Sequence, residues 1–252
     1  MTVNAQSGVG KIRLFEDFVG VELPVSLTNA FGNIGDFRVI GDGVAENDSG
    51  VVGQESDGLS GVGRLTVTDE DKHACGLGTA LCLDVGKMGT IIVEARVRFA
   101  DLDTKDAFIG LSDVNSDDIS LEDDVISGAT TTLTLTASDL VGFYLCSELT
   151  DDEDWHAVYN GGSTTGETTS TSVDLDDDAV AGEFQILRLE VDNNGTARWY
   201  IDGVLKKTLE GACSTTTDMA AICVVGNKAN TSSTEDMDVD YLLVEANRDW
   251  NA

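Results

Sequence analysis

The sequence predicts an all-β fold, a sandwich or barrel built as one large domain. Three observations carry this. Apolar residues recur every second position, as in Ile91, Val93, Ala95, Val97 and Phe99 against Ile92, Glu94, Arg96 and Arg98. Such alternation marks strands with one buried face. The chain of 252 residues has 27 Gly and a single Pro, which suits many tight turns. No segment has the 3.6-residue period of an amphipathic helix; at most a short helical turn follows Pro24.

Taken in order, strands are expected over residues 12–18, 37–40, 64–68 and 79–85, then over 91–99, 108–111 and 141–147. In the strand over 185–191, Leu187, Leu189 and Val191 face inward, with Arg188 and Glu190 outward. Asn193-Asn194-Gly195 then turns the chain, because Asn-Gly supplies the positive φ of a tight hairpin. Ala197, Trp199 and Ile201 follow on the inner face, with Arg198 and Tyr200 on the outer. Asp202-Gly203 makes the next turn into Val204 and Leu205. The last strands run over 221–226 and 237–244, where Val239, Tyr241 and Leu243 alternate with Asp240 and Leu242. Residues 161–172, rich in Gly, Ser and Thr, form a long exposed loop or hairpin tip.

Charge restricts the function. With 15 Lys and Arg against 46 Asp and Glu, the formal net charge is −31. Phosphate contacts need cations, so direct nucleic-acid binding and binding to an anionic membrane are not expected. No apolar run reaches the ~20 residues of a spanning helix. The first ten residues lack the basic start and apolar stretch of a signal peptide. Cys75, Cys82, Cys146, Cys213 and Cys223 are an odd set without a CxxC pair, which reads as buried, reduced thiols.

Between Asp106 and Leu187 there are 19 acidic residues and no Lys or Arg. Solvated loops are the simplest account. Asp151, Asp152 and Asp154 are the candidates for Ca²⁺, because clustered carboxylates suit a hard cation; no other cofactor is expected. His156 is expected on an exposed loop. Trp155 and Tyr159 flank it and are candidates for a sugar-stacking platform.

The segment from Phe184 to Leu205 resembles the strand–turn–strand pattern of concanavalin A-like lectin and glucanase domains. Phe15-Glu16-Asp17-Phe18 is similar to that family's opening strand, and residues 237–244 to its closing strand. The resemblance implies a jelly-roll β-sandwich of two antiparallel sheets, with the terminal strands side by side. The glucanase branch carries Glu-x-Asp-x-x-Glu. Here Glu190-Val191-Asp192 is followed by Gly195 where the second Glu would stand. Gly-x-Ser-x-Gly is also absent. A softer resemblance, in acidic, Gly/Thr-rich composition, is to virion structural proteins of tailed bacteriophages.

The expectation is a non-enzymatic virion protein, a capsid decoration protein or head-associated fibre. It would assemble in the host cytoplasm, sit on the outer capsid surface, bind the major capsid protein or other virion proteins and form an oligomer, such as the trimers of decoration proteins. Residues 1–11 would be a flexible arm and residues 12–252 the sandwich. Met1 to Gly10 carry no charged side chain, and Ser7, Gly8 and Gly10 allow close backbone approach to a capsid. The alternative is a lectin-like module for host-surface glycans; the third reading is an unrecognised glycoside hydrolase.

Overall fold

The computed structural model describes residues 10–19, 32–46, 49–54, 61–228 and 234–248. Two antiparallel sheets face each other as a sandwich. The first contains β1 (Lys11–Glu16), β4 (Gly50–Gln54), β5 (Gly63–Val67), β8 (Ile91–Arg98), β15 (Gln185–Val191), β16 (Ala197–Ile201), β17 (Val204–Leu209) and β19 (Glu235–Asn247). Its order is β17-β16-β15-β8-β19-β5-β4, with β1 also on β19. The second contains β2 (Asn33–Ile34), β3 (Phe37–Ile40), β6 (Ala74–Gly78), β9 (Lys105–Ser112), β12 (Leu140–Cys146), β13 (Asp154–Asn160), β14 (Asp174–Asp178) and β18 (Asp218–Asn227). Its order is β14-β13-β12-β9-β18-β6-β3-β2, and β7 (Leu83–Asp84) also pairs with β18. A small hairpin, β10 (Ile126–Ala129) and β11 (Thr132–Leu135), stands apart from both sheets.

The terminal strands pair as expected. Ile12 lies opposite Ala246, Leu14 opposite Val244 and Glu16 opposite Leu242. The inner faces of β8, β15 and β16 bury Val93, Ala95, Leu187, Leu189 and Trp199. The Trp199 indole Nε1 donates to the Gly142 carbonyl at 2.8 Å, tying the first sheet to β12 of the second. The free energy of this core comes from apolar area removed from water.

The two sheets differ in what covers them. The first is buried on one face only. In the second, β9, β12 and β6 are buried at every position. Short helices and turns cover its outer side: α1 (Asp42–Glu46) against β6, α3 (Ser170–Val173) against β13, and the π-helical turn Leu121–Val125 against β9 and β18. A fourth short helical element, α2 (Val85–Met88), is capped by Asp84, whose carboxylate accepts the Lys87 N–H. None of the described helices is long and apolar enough to cross a membrane.

Several expectations need correcting. The strand expected over 79–85 is displaced: β6 ends at Gly78 and only Leu83–Asp84 remains extended. Cys82 is exposed, whereas the other four thiols are buried. The helical turn after Pro24 lies outside the described residues, as do Ser7 and Gly8. Gly10 is described, and it belongs to the sandwich margin: its φ is 78° and its carbonyl accepts the Arg248 N–H at 3.0 Å. Lys11, assigned to the arm, is the first residue of β1.

Gly41 shows how closely the covering layer sits. Its φ is +134°, and a Cβ there would lie 2.1 Å from the Ala74 carbonyl oxygen. Gly41→Ala is therefore expected to destabilise the fold by more than about 1 kcal/mol. Urea unfolding checks this; an unchanged midpoint would show that α1 can shift freely against β6.

Candidate functional site

Alternation along β8, β15 and β16 turns Glu94, Arg96, Arg98, Arg188, Glu190, Arg198 and Tyr200 away from the core. The strand order then places these residues on one continuous outer face. Register makes the neighbours: Glu94 lies opposite Arg188, and Glu190 opposite Arg198. On the other side of β8, an irregularity between Val239 and Tyr241 resets β19, so that Tyr241 stands opposite Arg96. From β1, Arg13 and Phe15 complete the face. With Arg64 of β5, which shares Asp238 with Arg98, six of the eight arginines of the chain are there.

The polar groups form a grid. Arg188 donates to Glu94 at 2.9 Å and its guanidinium also meets Glu190 at 2.7 Å. Arg198 pairs with Asp192 at the strand end. Arg96 donates to Asp240 at 2.7 Å. Asp238 accepts from Arg64 at 2.7 Å and from Arg98 at 2.6 Å. Burial raises the Asp238 carboxyl, but the two guanidiniums more than offset this and leave it below its ordinary value.

Aromatic rings lie within the grid. The Tyr241 hydroxyl donates to Glu94 at 2.8 Å. Burial, then the bond to Glu94, holds that phenol well above its ordinary value. Tyr200 donates to Glu190 at 3.3 Å. The Phe15 and Tyr241 rings are 6.0 Å apart and tilted. Phe184 lies beneath Arg96 and Arg98, at 4.3 and 4.6 Å from their guanidinium carbons. Phe15, Phe184, Tyr200 and Tyr241 are half-buried, whereas the other aromatic residues with described side chains are buried. At the β1 end the face deepens into a cleft of ≈ 390 Å³ lined by Arg13, Thr90, Ile92, Glu245 and Asn247.

The sugar platform expected at Trp155 and Tyr159 does not form. Trp155 is fully buried between Phe99 and Phe143, and its Nε1 donates to Gln185 at 3.0 Å. Tyr159 is 8% exposed, so its ring has no open face to offer. His156, expected on an exposed loop, is buried in β13. All three belong to a strand because β13 pairs with both β12 and β14.

The calcium candidates are only partly brought together. Asp152 is exposed, and Asp151 instead accepts a hydrogen bond from Ser170 at 3.1 Å. Asp154 is raised to about 7 by burial, then by a carboxyl–carboxyl hydrogen bond with Asp178, with Asp174 and Asp151 adding repulsion. Among the described residues, three ligand atoms converge elsewhere, at Glu46, Glu70 and His73.

The face was legible in pieces. Each outward residue follows from alternation, but β1, β8, the β15–β16 hairpin and β19 are far apart in sequence. Only their pairing order shows that they make one surface.

Fold and face together define the class: a concanavalin A-like jelly-roll sandwich with one open, aromatic-bearing face. No protein-family model and no curated protein matches the chain. Among solved structures, the chain is similar to the protein of unknown function SO2946 from Shewanella oneidensis MR-1. That match has a TM-score of 0.64 at 10% identity and covers 96% of this chain and 89% of that one. The metal-free Emp46p carbohydrate recognition domain matches with a TM-score of 0.52 at 12% identity, covering 87% and 94%. The Bacillus licheniformis β-glucanase matches at 0.50 and 14%, covering 96% and 100%. These likenesses show the shared fold. They overturn the expectation of a non-enzyme, because the same sandwich is that of a β-glucanase.

Proposed function

We propose that this chain recognises glycans on the outer face of its first sheet. One observation carries the reading: every half-buried aromatic with a described side chain lies on that face, among paired guanidiniums and carboxylates. Sugar rings stack their C–H faces on aromatic rings, and their hydroxyls take the hydrogen bonds that such pairs offer. The cleft beside Arg13 gives the bound chain a deeper end.

A glycan array with the full chain tests this. A retained glycan should lose at least about tenfold in affinity when Tyr241→Ala removes the ring and its bond to Glu94, a loss of about 1.4 kcal/mol. Retention of no glycan, or binding unaffected by Tyr241→Ala and Arg188→Ala together, would sink the proposal.

A second reading, a capsid decoration protein or head fibre, rests on the net charge of −31 and the uncharged stretch before Lys11. Its expected result is that deleting residues 1–9, which keeps the Gly10 carbonyl on the Arg248 N–H, leaves the melting curve unchanged and abolishes co-sedimentation with capsids lacking the native protein. Undiminished co-sedimentation would remove the arm from the reading.

A further inference from the structure

Away from the glycan face, a second group of polar side chains gathers where β13 meets β14. His156 is fully buried there. Neither of its ring nitrogens has a hydrogen-bond partner. Its Nε2 is aimed at Asp151 Oδ2, 3.3 Å away, and the Asp151 side chain is 15% exposed. Buried polar groups are nearly always hydrogen-bonded, so a buried imidazole with both nitrogens unsatisfied needs a reason. The carboxylate is held in place: the buried Ser170 hydroxyl donates to Asp151 Oδ1 at 3.1 Å. Asp174 stands opposite His156 in the strand register, and Asp178 opposite Asp154. One edge thus carries an unsatisfied imidazole and four carboxylates.

We propose that this edge binds a divalent transition-metal ion, with His156 Nε2 and Asp151 Oδ2 as its protein ligands. Bonds of about 2.0–2.2 Å place two adjacent ligands of a tetrahedral or octahedral ion roughly 3.0–3.5 Å apart. The observed separation of 3.3 Å is that edge. Ser170 acts behind the carboxylate as the outer hydrogen-bond partner that orients a ligand. Asp151 is half-buried and Asp152 and Glu153 beside it are exposed, so water would supply the remaining ligands. The imidazole decides the metal class. Ca²⁺ takes six to eight oxygens, whereas nitrogen with carboxylate suits Zn²⁺ and its neighbours. The ion also offsets repulsion among Asp151, Asp154, Asp174 and Asp178.

The chain has two histidines, which makes the test direct. His73 sits in the competing cluster with Glu46 and Glu70. Full-length protein stripped with a chelator is titrated with Zn²⁺ while the imidazole ¹⁵N resonances of both histidines are followed. Zn²⁺ should move the His156 Nε2 resonance and raise the melting temperature, and Ca²⁺ should do neither. Both responses should vanish in Asp151→Asn, weaken in Ser170→Ala and persist in Glu70→Gln. If Asp151→Asn does not fold, the wild-type His156 response decides alone. A response at His73 only, no response at either ring, or a His156 ring already doubly protonated and indifferent to Zn²⁺ would overturn the site. The last outcome would make His156–Asp151 a buried ion pair.

Discussion

The protein should become more stable, not less, as the pH falls from about 8 to about 5.5. Asp106 is fully buried in β9, and burial lifts its carboxyl from 3.8 to about 7, with the Lys228 charge opposing and Glu122 adding. In the unfolded chain the same group titrates near its ordinary value. The folded state therefore holds a proton that the unfolded state has released. That contribution is complete below the unfolded value and is lost as pH rises through the folded one. The whole shift corresponds to an upper bound of about 4 kcal/mol, of which about 2 kcal/mol falls between pH 8 and pH 5.5, and relaxation around a buried carboxyl brings the expected gain in that window to roughly 1–2 kcal/mol. Asp42, raised to about 6 chiefly by burial, acts in the same direction. So does the −31 net charge, whose self-repulsion eases as carboxylates protonate. Asp238 acts oppositely, but its depressed carboxyl loses its contribution only as the pH falls below its ordinary range. Urea midpoints at fixed ionic strength check this. Asp106→Asn should be more stable than wild type at pH 8 and should flatten the pH dependence. Identical pH profiles for the two proteins would show that Asp106 is not the group responsible.

The burial that moves Asp106 also explains what the sequence concealed. β8, β15 and β16 were plain because one face meets water, so Glu94, Arg188 and Arg198 alternate with apolar neighbours. β9, β12 and β18 pack on both sides. Runs such as Leu140-Val141-Gly142-Phe143-Tyr144-Leu145-Cys146 have no period to read; the expected strand covers β12 but for Leu140, whereas only the centres of β9 and β18 are anticipated. The acidic stretches misled in the opposite way. Asp151-Asp152-Glu153-Asp154 made the following Trp155 look like part of a loop, and Asp176-Asp177-Asp178 looked like solvated turn. Yet β14 is an edge strand on β13, with Lys206 of β17 pairing Asp177 at 2.5 Å across to the first sheet. An edge strand tolerates such charge because only one side of it is paired. The candidate face failed to appear for a topological reason. Glu94, Arg188 and Tyr241 come from β8, β15 and β19, and alternation within one strand carries no information about which strand lies beside it; of these neighbours only the pairing of the two terminal strands is expected from the sequence.

Trp155→Ala should lower stability by about 3–5 kcal/mol, among the largest costs of a single core truncation. The indole fills the space between Phe99 and Phe143, with ring centroids 6.1 and 6.3 Å away. Its removal leaves a cavity between the sheets that the flanking strands cannot close. β13 is held by ladders to β12 and β14, and Gln185 by β15. Truncation also strips the Gln185 Oε1 of its donor, while the Gln185 amide stays bound to the Asp178 carbonyl at 2.8 Å. Trp155→Phe keeps most of the volume and loses chiefly that hydrogen bond, so its cost should be a fraction of the alanine's. For a domain of this size the alanine cost corresponds to a fall in Tm of roughly 10 °C. Tyr241→Ala, on the half-exposed face, should shift Tm far less while removing glycan affinity. The two substitutions thus separate folding from recognition. If Trp155→Ala melts like wild type and loses glycan binding, the indole is a contact residue after all, and the assignment of recognition to the first sheet falls with it.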